Sequence, residues 1–557
     1  CDWSSDVCSS DLVISGKMPI KYRSTRGGVT GASFEDVVLG GLAPDRGLYV
    51  PENIPTFTSD EIQSMRGSSF QEMAYAIQSK FIGPDEIPPS DLKALIEKST
   101  KAFRDPSVTP CLKVGDMWVM ELFHGPTFAF KDVALQELGN LFEYFIAKKH
   151  GAEKRLTIMG ATSGDTGSAA IYGLRGKANV DCFILYPDGR VSEIQEKQMT
   201  TVPDANIHCL KVDGTFDDAQ DIVKGAFMDA EFKDRVKLGA VNSINWARVL
   251  AQITYYFSAY YQVTTNDAAP VNFSVPTGNF GDILAGYYAK CMGLPVDKLV
   301  IATNTNDILH RFLTTGDYVK ESIAKSISPS MDICVSSNFE RFLFHCMDED
   351  SGTLKALMES FEGKTDSSEI SGVGSAFSGT LRVEGKALAM AREHMQSARA
   401  GNEECEKIIR AYLKEFDYLL CPHSACGISA SIQLGYQHDS TMVNLATAHP
   451  GKFYDPITQA LGAETPLPAL PDELEILSTL SKRTTPVAND LGVCQNLVLE
   501  RTEGKQEKKS RDIIPEVKEA PKEPVSDKKF PTWAAMLMVV PVAVSIAFFV
   551  LAKRARN

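Results

Sequence analysis

The stretch that decides the fold is Glu121–Gln136, ELFHGPTFAFKDVALQ, in which Lys131 follows Phe128 and Phe130. Apolar residues then recur at helical spacing and predict a helix that begins near this lysine; they are Val133, Ala134, Leu138, Leu141, Phe142 and Phe145. Partial burial and the positive end of a helix both disfavour an ammonium group and lower its pKa. Schiff-base chemistry requires such an uncharged amine, whereas spacing alone also allows a solvated lysine at a helix cap.

Outward from this stretch, short apolar runs alternate with polar loops and helical patterns. Strands are predicted at Arg155–Gly160, Val271–Pro276 and Met442–Ala446, and helices at Ser168–Arg175 and Ile283–Met292. This alternation predicts an α/β fold with a mostly parallel sheet. Because ligands of such sheets bind at the carboxyl ends of the strands, the polar loops are candidate site builders.

Two of these loops contain small residues before a helix. Gly160–Ser168 reads GATSGDTGS and Thr277–Asp282 reads TGNFGD, and both offer backbone amides to an anion at a helix start. Neither contains the GK[ST] of a nucleotide-binding P-loop. A structural turn and a helix cap are the alternatives for these two loops.

Two further segments carry candidate site residues. Asn242–Arg248 reads NSINWAR, and its arginine is a planar, permanently charged partner for phosphate, unless it is simply a surface residue. Asn444–Pro450 reads NLATAHP, with Thr447 at a strand end. His449 in this loop is interpreted as structural.

HGPTFAFKDVALQ is similar, nearly residue for residue, to the PLP (pyridoxal 5'-phosphate) lysine motif of threonine synthases of the fungal and bacterial branch. Tyr22–Gly28 (YRSTRGG) and Gly41–Pro51 (GLAPDRGLYVP) resemble the same branch, and the resemblance covers residues from about 20 to about 485. It implies a fold-type-II PLP enzyme, similar to the tryptophan synthase beta chain. Two three-layer α/β/α lobes and an N-terminal domain are then expected, with the smaller lobe at about 150–265.

The resemblance also implies roles for individual residues. Lys131 would carry PLP, Asp165 would lie near the ring hydroxyl, and Thr447 would face the pyridine nitrogen. The cofactor phosphate would lie at Gly278, Asn279, Phe280, Gly281 and Asp282, with Asp282 expected to cap the helix. The substrate carboxylate would contact Thr162, Ser163, Gly164 and Thr166, and the substrate phosphate would contact Asn242 and Arg248.

The implied reaction converts O-phospho-L-homoserine and water into L-threonine and phosphate, the last step of threonine biosynthesis. Three alternatives stay open: a dehydratase or other β-eliminating lyase, a phospho-lyase that releases a keto acid, and a non-catalytic binding protein. A hydroxyl leaving group needs no phosphate clamp, so Asn242 and Arg248 argue against the first. Lys131 and TGNFGD argue against the last, because a non-catalytic protein need not keep both.

Composition restricts the partners and the cellular setting. The formal net charge of the 557 residues is −14, which argues against nucleic acid as the partner. The 12 cysteines show no regular spacing of metal ligands, so reduced thiols and no metal site are predicted. These features indicate a cytoplasmic catalytic region, and the sequence leaves a monomer or a homodimer open.

The two ends differ in character from the middle. Residues 1–17 are interpreted as a non-native leader, followed by an N-terminal domain at 18–105 and a PLP-binding region at 106–490. Residues 491–532 are rich in charge and predict a disordered linker. Trp533–Ala552 is uncharged and long enough to span a bilayer, with Lys553, Arg554 and Arg556 beyond it. A transmembrane helix that tethers the enzyme to an intracellular membrane is therefore predicted.

Overall fold

Two mostly parallel sheets organise the computed structural model, which describes residues 20–150, 155–265, 269–363 and 379–511. The strands are β1 (Tyr22–Ser24), β2 (Tyr49–Pro51), β3 (Cys111–Val114), β4 (Met117–Glu121), β5 (Leu156–Ala161), β6 (Val180–Pro187), β7 (Ile207–Val212), β8 (Leu238–Ala240), β9 (Val271–Pro276), β10 (Val296–Thr303), β11 (Asp317–Val319), β12 (Thr380–Arg382), β13 (Met395–Arg399), β14 (Met442–Ala446) and β15 (Thr485–Val487).

The helices surround both sheets and also form most of the N-terminal region. They are α1 (Phe34–Gly40), α2 (Ser59–Ser64), α3 (Phe70–Gln78), α4 (Pro89–Thr100), α5 (Lys131–His150), α6 (Asp165–Leu174), α7 (Glu193–Thr200), α8 (Phe216–Met228), α9 (Ala230–Val236), α10 (Trp246–Val263), α11 (Gly281–Cys291), α12 (Ile308–Thr315), α13 (Phe339–Cys346), α14 (Ser351–Phe361), α15 (Gly385–His394), α16 (Asn402–Phe416), α17 (Pro422–Gln433), α18 (Tyr454–Leu461), α19 (Asp472–Glu475) and α20 (Leu491–Arg511). Short 3-10 helices lie at Pro329–Met331, Pro450–Phe453 and Ile476–Thr479.

The larger sheet has the strand order β13-β10-β9-β14-β4-β3, and all its pairs are parallel except β3 with β4. The smaller sheet has the order β15-β7-β6-β5-β8 and is parallel throughout. Every residue of β6 and β9 is buried, as expected for parallel strands that are covered on both faces of the sheet. The predicted α/β architecture is therefore confirmed.

The smaller lobe is built from two distant parts of the chain. Its sheet takes β5, β6, β7 and β8 from one continuous stretch, whereas β15 joins the edge beside β7 from near the end of the described residues. The residue range expected for this lobe, about 150–265, therefore omits β15, which belongs to its sheet. A three-residue strand that contains Pro486 gives little periodic signal in the sequence.

The N-terminal region shares its core with the larger lobe. The indole of Trp246, at the start of α10, is fully buried. Its ring centroid lies 6.0 Å from that of Tyr22 and 5.8 Å from that of Phe81. Arg26 adds a polar contact, because its guanidinium donates to both carboxylate oxygens of Glu340 on α13. The N-terminal region therefore packs on the helices that lead to the site.

One part of the fold prediction is wrong, namely the transmembrane helix. Trp533–Ala552 lies outside the described residues, and no helix among the described ones is both long and apolar enough to cross a membrane. The fold is thus corrected to an α/β enzyme fold, in which the described residues include no membrane-spanning helix.

The structure also differs from the prediction of a disordered linker that begins at residue 491. Helix α20 begins at Leu491, and Cys494 and Val498 on its inner face are fully buried against the smaller lobe. Leu491, Cys494 and Val498 are spaced three and four positions apart and therefore lie on one side of the helix. Their apolar face outweighs the charged composition of the segment.

Glu137, on α5, is a buried carboxyl group outside the site whose ionisation should destabilise the fold. Its Oε2 accepts a hydrogen bond from Gln78 Nε2 at 3.0 Å, and burial raises its pKa from 4.5 to about 7. Because the folded pKa exceeds the unfolded one, stability is lost as the pH rises from about 4.5 through about 7. We expect Glu137→Gln to unfold like the native chain at about pH 4 and to be more stable by about 3 kcal/mol at about pH 8.

Urea unfolding of both proteins at the two pH values measures this difference. Glu143→Gln on the same helix is the matched control, because Glu143 binds Lys98 and Lys177 and its pKa is lowered. The control should gain no stability as the pH rises. A Glu137→Gln advantage of equal size at both pH values would contradict the prediction.

Candidate active site

A cleft between the two lobes collects most of the predicted site residues. It lies at the carboxyl ends of β5, β9 and β14 and is partly open to solvent. Its walls include Lys131, Asp165, Thr166, Arg248, Gly278, Asn279, Phe280, Gly281, Asp282 and Thr447. The sequence therefore predicted the location of the cleft and much of its lining.

The loop before Lys131 is held by backbone bonds to the segment after β14. Phe130 N donates to Thr447 O at 2.8 Å, and His449 N donates to Phe128 O at 3.1 Å. Phe128 has a φ of 59°, an uncommon conformation for a phenylalanine, and it turns the chain into α5. The lysine thus leaves a fixed loop at a helix start, as predicted.

His449 has structural contacts. Its Nδ1 accepts a hydrogen bond from Gly451 N at 3.1 Å, and its ring packs against the rings of Phe123 and Phe128. The contacts agree with the structural role predicted for this histidine.

The amine of Lys131 is shielded from solvent and lies near one carboxylate. The residue is 9% exposed, and its Nζ lies 4.0 Å from Asp165 Oδ2. Burial lowers the pKa of Lys131 to about 8; the charges of Lys452 and Arg248 act in the same direction, whereas Asp165 opposes them. The lowered pKa predicted from the sequence is therefore present.

Asp165, at the start of α6, is surrounded by donors. Its Oδ1 lies 2.5 Å from Lys452 Nζ and accepts a bond from Gln195 Nε2 at 2.9 Å. Its Oδ2 accepts from Ser330 Oγ at 3.3 Å. Burial alone would raise the pKa of this carboxyl group, but the ammonium groups of Lys452 and Lys131 lower it well below its usual range. Asp165 is therefore an ionised carboxylate within the cleft.

The loop TGNFGD turns sharply into α11. Phe280 precedes the helix with a φ of 64°, and no side chain caps the first helical amides. At Gly278 a Cβ atom would lie 3.2 Å from the carbonyl oxygen of Ser330, so glycine allows this close approach. Asn279 O accepts from Asn338 N at 3.1 Å, which fixes the turn. An uncapped helix start that faces a cleft suits an anion.

Asp282 does not cap this helix, contrary to expectation. Its Oδ1 accepts hydrogen bonds from the hydroxyl groups of Tyr255, at 2.6 Å, and Tyr256, at 2.9 Å. Burial raises the pKa of Asp282 to about 6. The two tyrosines on α10 compete successfully for the carboxylate because they lie beside it in the folded chain, although 26 and 27 positions away in sequence.

Arg248 is a buried cation, and two of its nitrogens have no partner. It is 4% exposed, and its Nε and Nη1 have no hydrogen-bond partner among the described residues. Burial lowers the pKa of Arg248 to about 10, so the guanidinium is still charged at neutral pH. The side chain of Asn242 is outside the cleft lining, and its Oδ1 accepts from Ile244 N at 3.2 Å. The structure thus places Arg248 in the site but uses Asn242 within its own turn.

The loop GATSGDTGS is ordered by its first threonine. Thr162 Oγ1 accepts from Gly164 N at 3.0 Å and from Gly167 N at 2.9 Å. Ser163 is exposed, whereas Thr166 lines the cleft. Of the four predicted contacts with the substrate carboxylate, Thr166 is the one on the cleft wall.

Two important residues were not predicted from the sequence. Lys452 is buried next to Asp165, and His423 lines the cleft with its Nε2 accepting from Ser330 N at 3.2 Å. Burial lowers the pKa of His423 to about 4, so the imidazole is neutral. The segments HPGKF and CPHSAC carry no local pattern that separates these residues from surface ones.

The residues present fit PLP. Lys131 supplies an amine of lowered pKa, and the uncapped start of α11 supplies amides for a phosphate group. Among the described residues, Arg248 Nε and Nη1 have no hydrogen-bond partner, so these two donors are available to a second anion in the same cleft. A carboxylate, Asp165, and a hydroxyl side chain, Thr447, complete a polar wall around the space for a ring.

The comparisons with known proteins agree with this chemistry. Three family models match the chain. The model "Threonine synthase N terminus" matches residues 21–100, and the model "Pyridoxal-phosphate dependent enzyme" matches residues 94–360. The model "Threonine synthase, C-terminal" matches residues 424–498. PLP is therefore the cofactor of this chain.

Proteins that are similar over most of this chain are threonine synthases. The chain is 47% identical to the threonine synthase of Saccharomyces cerevisiae, over 83% of this chain and 94% of the relative. It is 48% identical to that of Schizosaccharomyces pombe, over 80% and 90%. The crystal structure of PLP-bound threonine synthase from Brucella melitensis matches with a TM-score of 0.80 and 42% identity, over 87% of this chain and 99% of that one. The chain belongs to the threonine synthase family of PLP-dependent enzymes.

Proposed function

We propose that the chain converts O-phospho-L-homoserine and water into L-threonine and phosphate. The observation that carries this proposal is the position of Arg248 in the same cleft as Lys131: it is a buried guanidinium, two nitrogens of which have no hydrogen-bond partner among the described residues. A substrate with a phosphate leaving group would satisfy these donors, whereas a hydroxyl leaving group would leave a buried charge unpaired.

Lys131 would have two tasks. It would hold PLP, which when bound supplies an electron sink for negative charge that develops on the substrate carbon chain. Once the substrate amine replaces it, the Lys131 amine would accept and return protons at Cα, Cβ and Cγ. A pKa of about 8 suits both directions of transfer near neutral pH.

The other walls of the cleft would orient the cofactor. We assign the cofactor phosphate to the backbone of Gly278, Asn279, Phe280 and Gly281, where amides at the start of α11 are free of a side-chain cap. Asp282 would contribute through its place in this turn, with its carboxylate directed to Tyr255 and Tyr256. Asp165 would face the ring hydroxyl and Thr447 the ring nitrogen.

The substrate would be held at its two charged ends. The loop with Thr162, Ser163, Gly164 and Thr166 would bind the carboxylate, with Thr166 nearest the cleft. Arg248 would bind the phosphate and stabilise the charge that grows on it as its bond to Cγ breaks. Asn242 would have to turn away from Ile244 N to join it, which binding of the phosphate could drive.

Measurement of both products tests the proposal. The full chain with PLP is given O-phospho-L-homoserine, and phosphate and L-threonine are assayed together. Equal amounts of the two products are expected. Phosphate with a keto acid would indicate a phospho-lyase, and turnover of serine or threonine without use of the phosphorylated substrate would indicate a dehydratase.

A further inference from the structure

Lys452 is a buried lysine that the reaction scheme above does not use. It lies in the short helix Pro450–Phe453, directly after the loop that carries Thr447. Its side chain is 0% exposed. A fully buried ammonium is costly unless it is paired, so its partners indicate what it does.

Lys452 has two partners, one from each lobe. Its Nζ lies 2.5 Å from Asp165 Oδ1, in the smaller lobe, and donates to Thr127 O at 2.8 Å, in the loop that leads to Lys131. Thr127 is fixed in turn, because its amide and hydroxyl group both donate to the carboxylate of Asp132. Lys452 therefore joins the Lys131 loop to Asp165.

The carboxylate of Asp165 consequently lies between two ammonium groups. Oδ1 faces Lys452, and Oδ2 faces Lys131 at the longer distance of 4.0 Å. Without Lys452, the full charge of Asp165 would act on Lys131, and the ammonium form of Lys131 would be favoured. With Lys452 in place, the carboxylate is also paired with a second lysine, so it keeps a partner when Lys131 loses its proton.

We infer that Lys452 is a positioning residue, which pairs with the charge of Asp165, anchors the Lys131 loop against it, and thereby favours the uncharged, reactive form of the Lys131 amine. The inference rests on the proposed role of Lys131 as the lysine that carries the cofactor. Lys452 itself is assigned no contact with the substrate.

Other charges also act on the amine and must be kept constant in any test. The titratable and charged groups that face it or interact with it are Asp165 on α6, Lys452, Arg248 on α10, Asp132 on α5, Asp282 on α11 and His423 on α17. Substitution of Lys452 alone changes one of them and leaves the other side chains in place.

The experiment measures how the reactivity of Lys131 depends on pH in the full chain freed of PLP. Formaldehyde with cyanoborohydride methylates uncharged amines, and mass spectrometry of the Lys131 peptide gives the pH of half-maximal rate. For Lys452→Met we expect this pH to rise by about one unit or more, so that Lys131 reacts roughly tenfold more slowly near neutral pH. A folded Lys452→Met chain with an unchanged or lower half-point would overturn the inference.

Two further variants complete the test. Lys177→Met is the matched control, because Lys177 is also a largely buried lysine but binds Asn140 and Glu143 outside the cleft. Its half-point for Lys131 should equal that of the native chain. Asp165→Asn keeps the shape and removes the anion, so the half-point should fall by about one unit. A half-point that stays constant or rises in Asp165→Asn would reject the inference even if Lys452→Met does not fold.

The result is separable from the proposed reaction. Methylation reports on the amine in the absence of cofactor and substrate, whichever products the enzyme forms. A shifted half-point together with a keto acid product would reject the threonine synthase reaction and retain the role of Lys452. Normal threonine formation with an unshifted half-point would do the reverse.

Discussion

Replacement of Lys131 by alanine is expected to lower threonine formation about 10⁴-fold or more, because one amine both holds the cofactor and moves the protons. The visible absorption of lysine-bound PLP should disappear from the purified variant as well. The fold should persist, since the Lys131 amine has no hydrogen bond to another described residue and lies 4.0 Å from Asp165 Oδ2. The measurement compares kcat, the absorption spectrum and thermal unfolding of the two proteins.

A second lysine variant shows whether the loss is specific. Lys177→Ala removes a largely buried lysine whose pKa burial also lowers, but which lies outside the cleft. It should keep the absorption band and most of kcat. Added ethylamine, which can occupy the space of the missing side chain, should restore part of the activity of Lys131→Ala only. Retention of more than a few per cent of kcat by Lys131→Ala would remove this residue from the catalytic role.

The parts of the fold that could be predicted are those with a strong local pattern. The strands β9 and β14 have the predicted limits, Val271–Pro276 and Met442–Ala446, because short apolar runs between polar turns favour buried parallel strands. The start of α5 at Lys131 could be predicted from helical spacing alone. The cleft then follows from topology, since parallel strands bring their carboxyl ends to one edge.

The parts that could not be predicted depend on distant contacts. Lys452 pairs with Asp165 from the other lobe, and the sequence HPGKF has no feature that distinguishes a buried lysine from a solvated one. Asp282 has the typical position of a helix cap, yet two tyrosines one helix earlier bind it. Charge-rich composition concealed the apolar face of α20, where Cys494 and Val498 are buried.

Replacement of Arg248 by methionine is expected to lower kcat/KM for O-phospho-L-homoserine by about 10²–10³-fold, the loss of about 2.7–4 kcal/mol of stabilisation of growing charge. The free energy of unfolding should not fall and should even rise, because methionine removes a buried charge, two nitrogens of which have no hydrogen-bond partner where the structure is described. Arg341→Met is the matched control: this second buried arginine donates to the carbonyl oxygens of Tyr49 and Ile244 and to Asn338. The control should lose stability.

Inorganic phosphate distinguishes a phosphate clamp from a general loss of charge. Phosphate that binds the native holoenzyme at 100 times its Kd would stabilise it by about 2.7 kcal/mol, which is visible as a higher Tm. The Arg248→Met holoenzyme should show little of this shift, since the loop at Gly278–Gly281 is expected to be occupied by the cofactor phosphate. An equal shift in both proteins, or a kcat/KM within a few-fold of the native value, would show that Arg248 does not bind the leaving group. In that case the two nitrogens of Arg248 that have no partner in the described part of the chain would serve another anion, of which the substrate carboxylate is the nearest candidate.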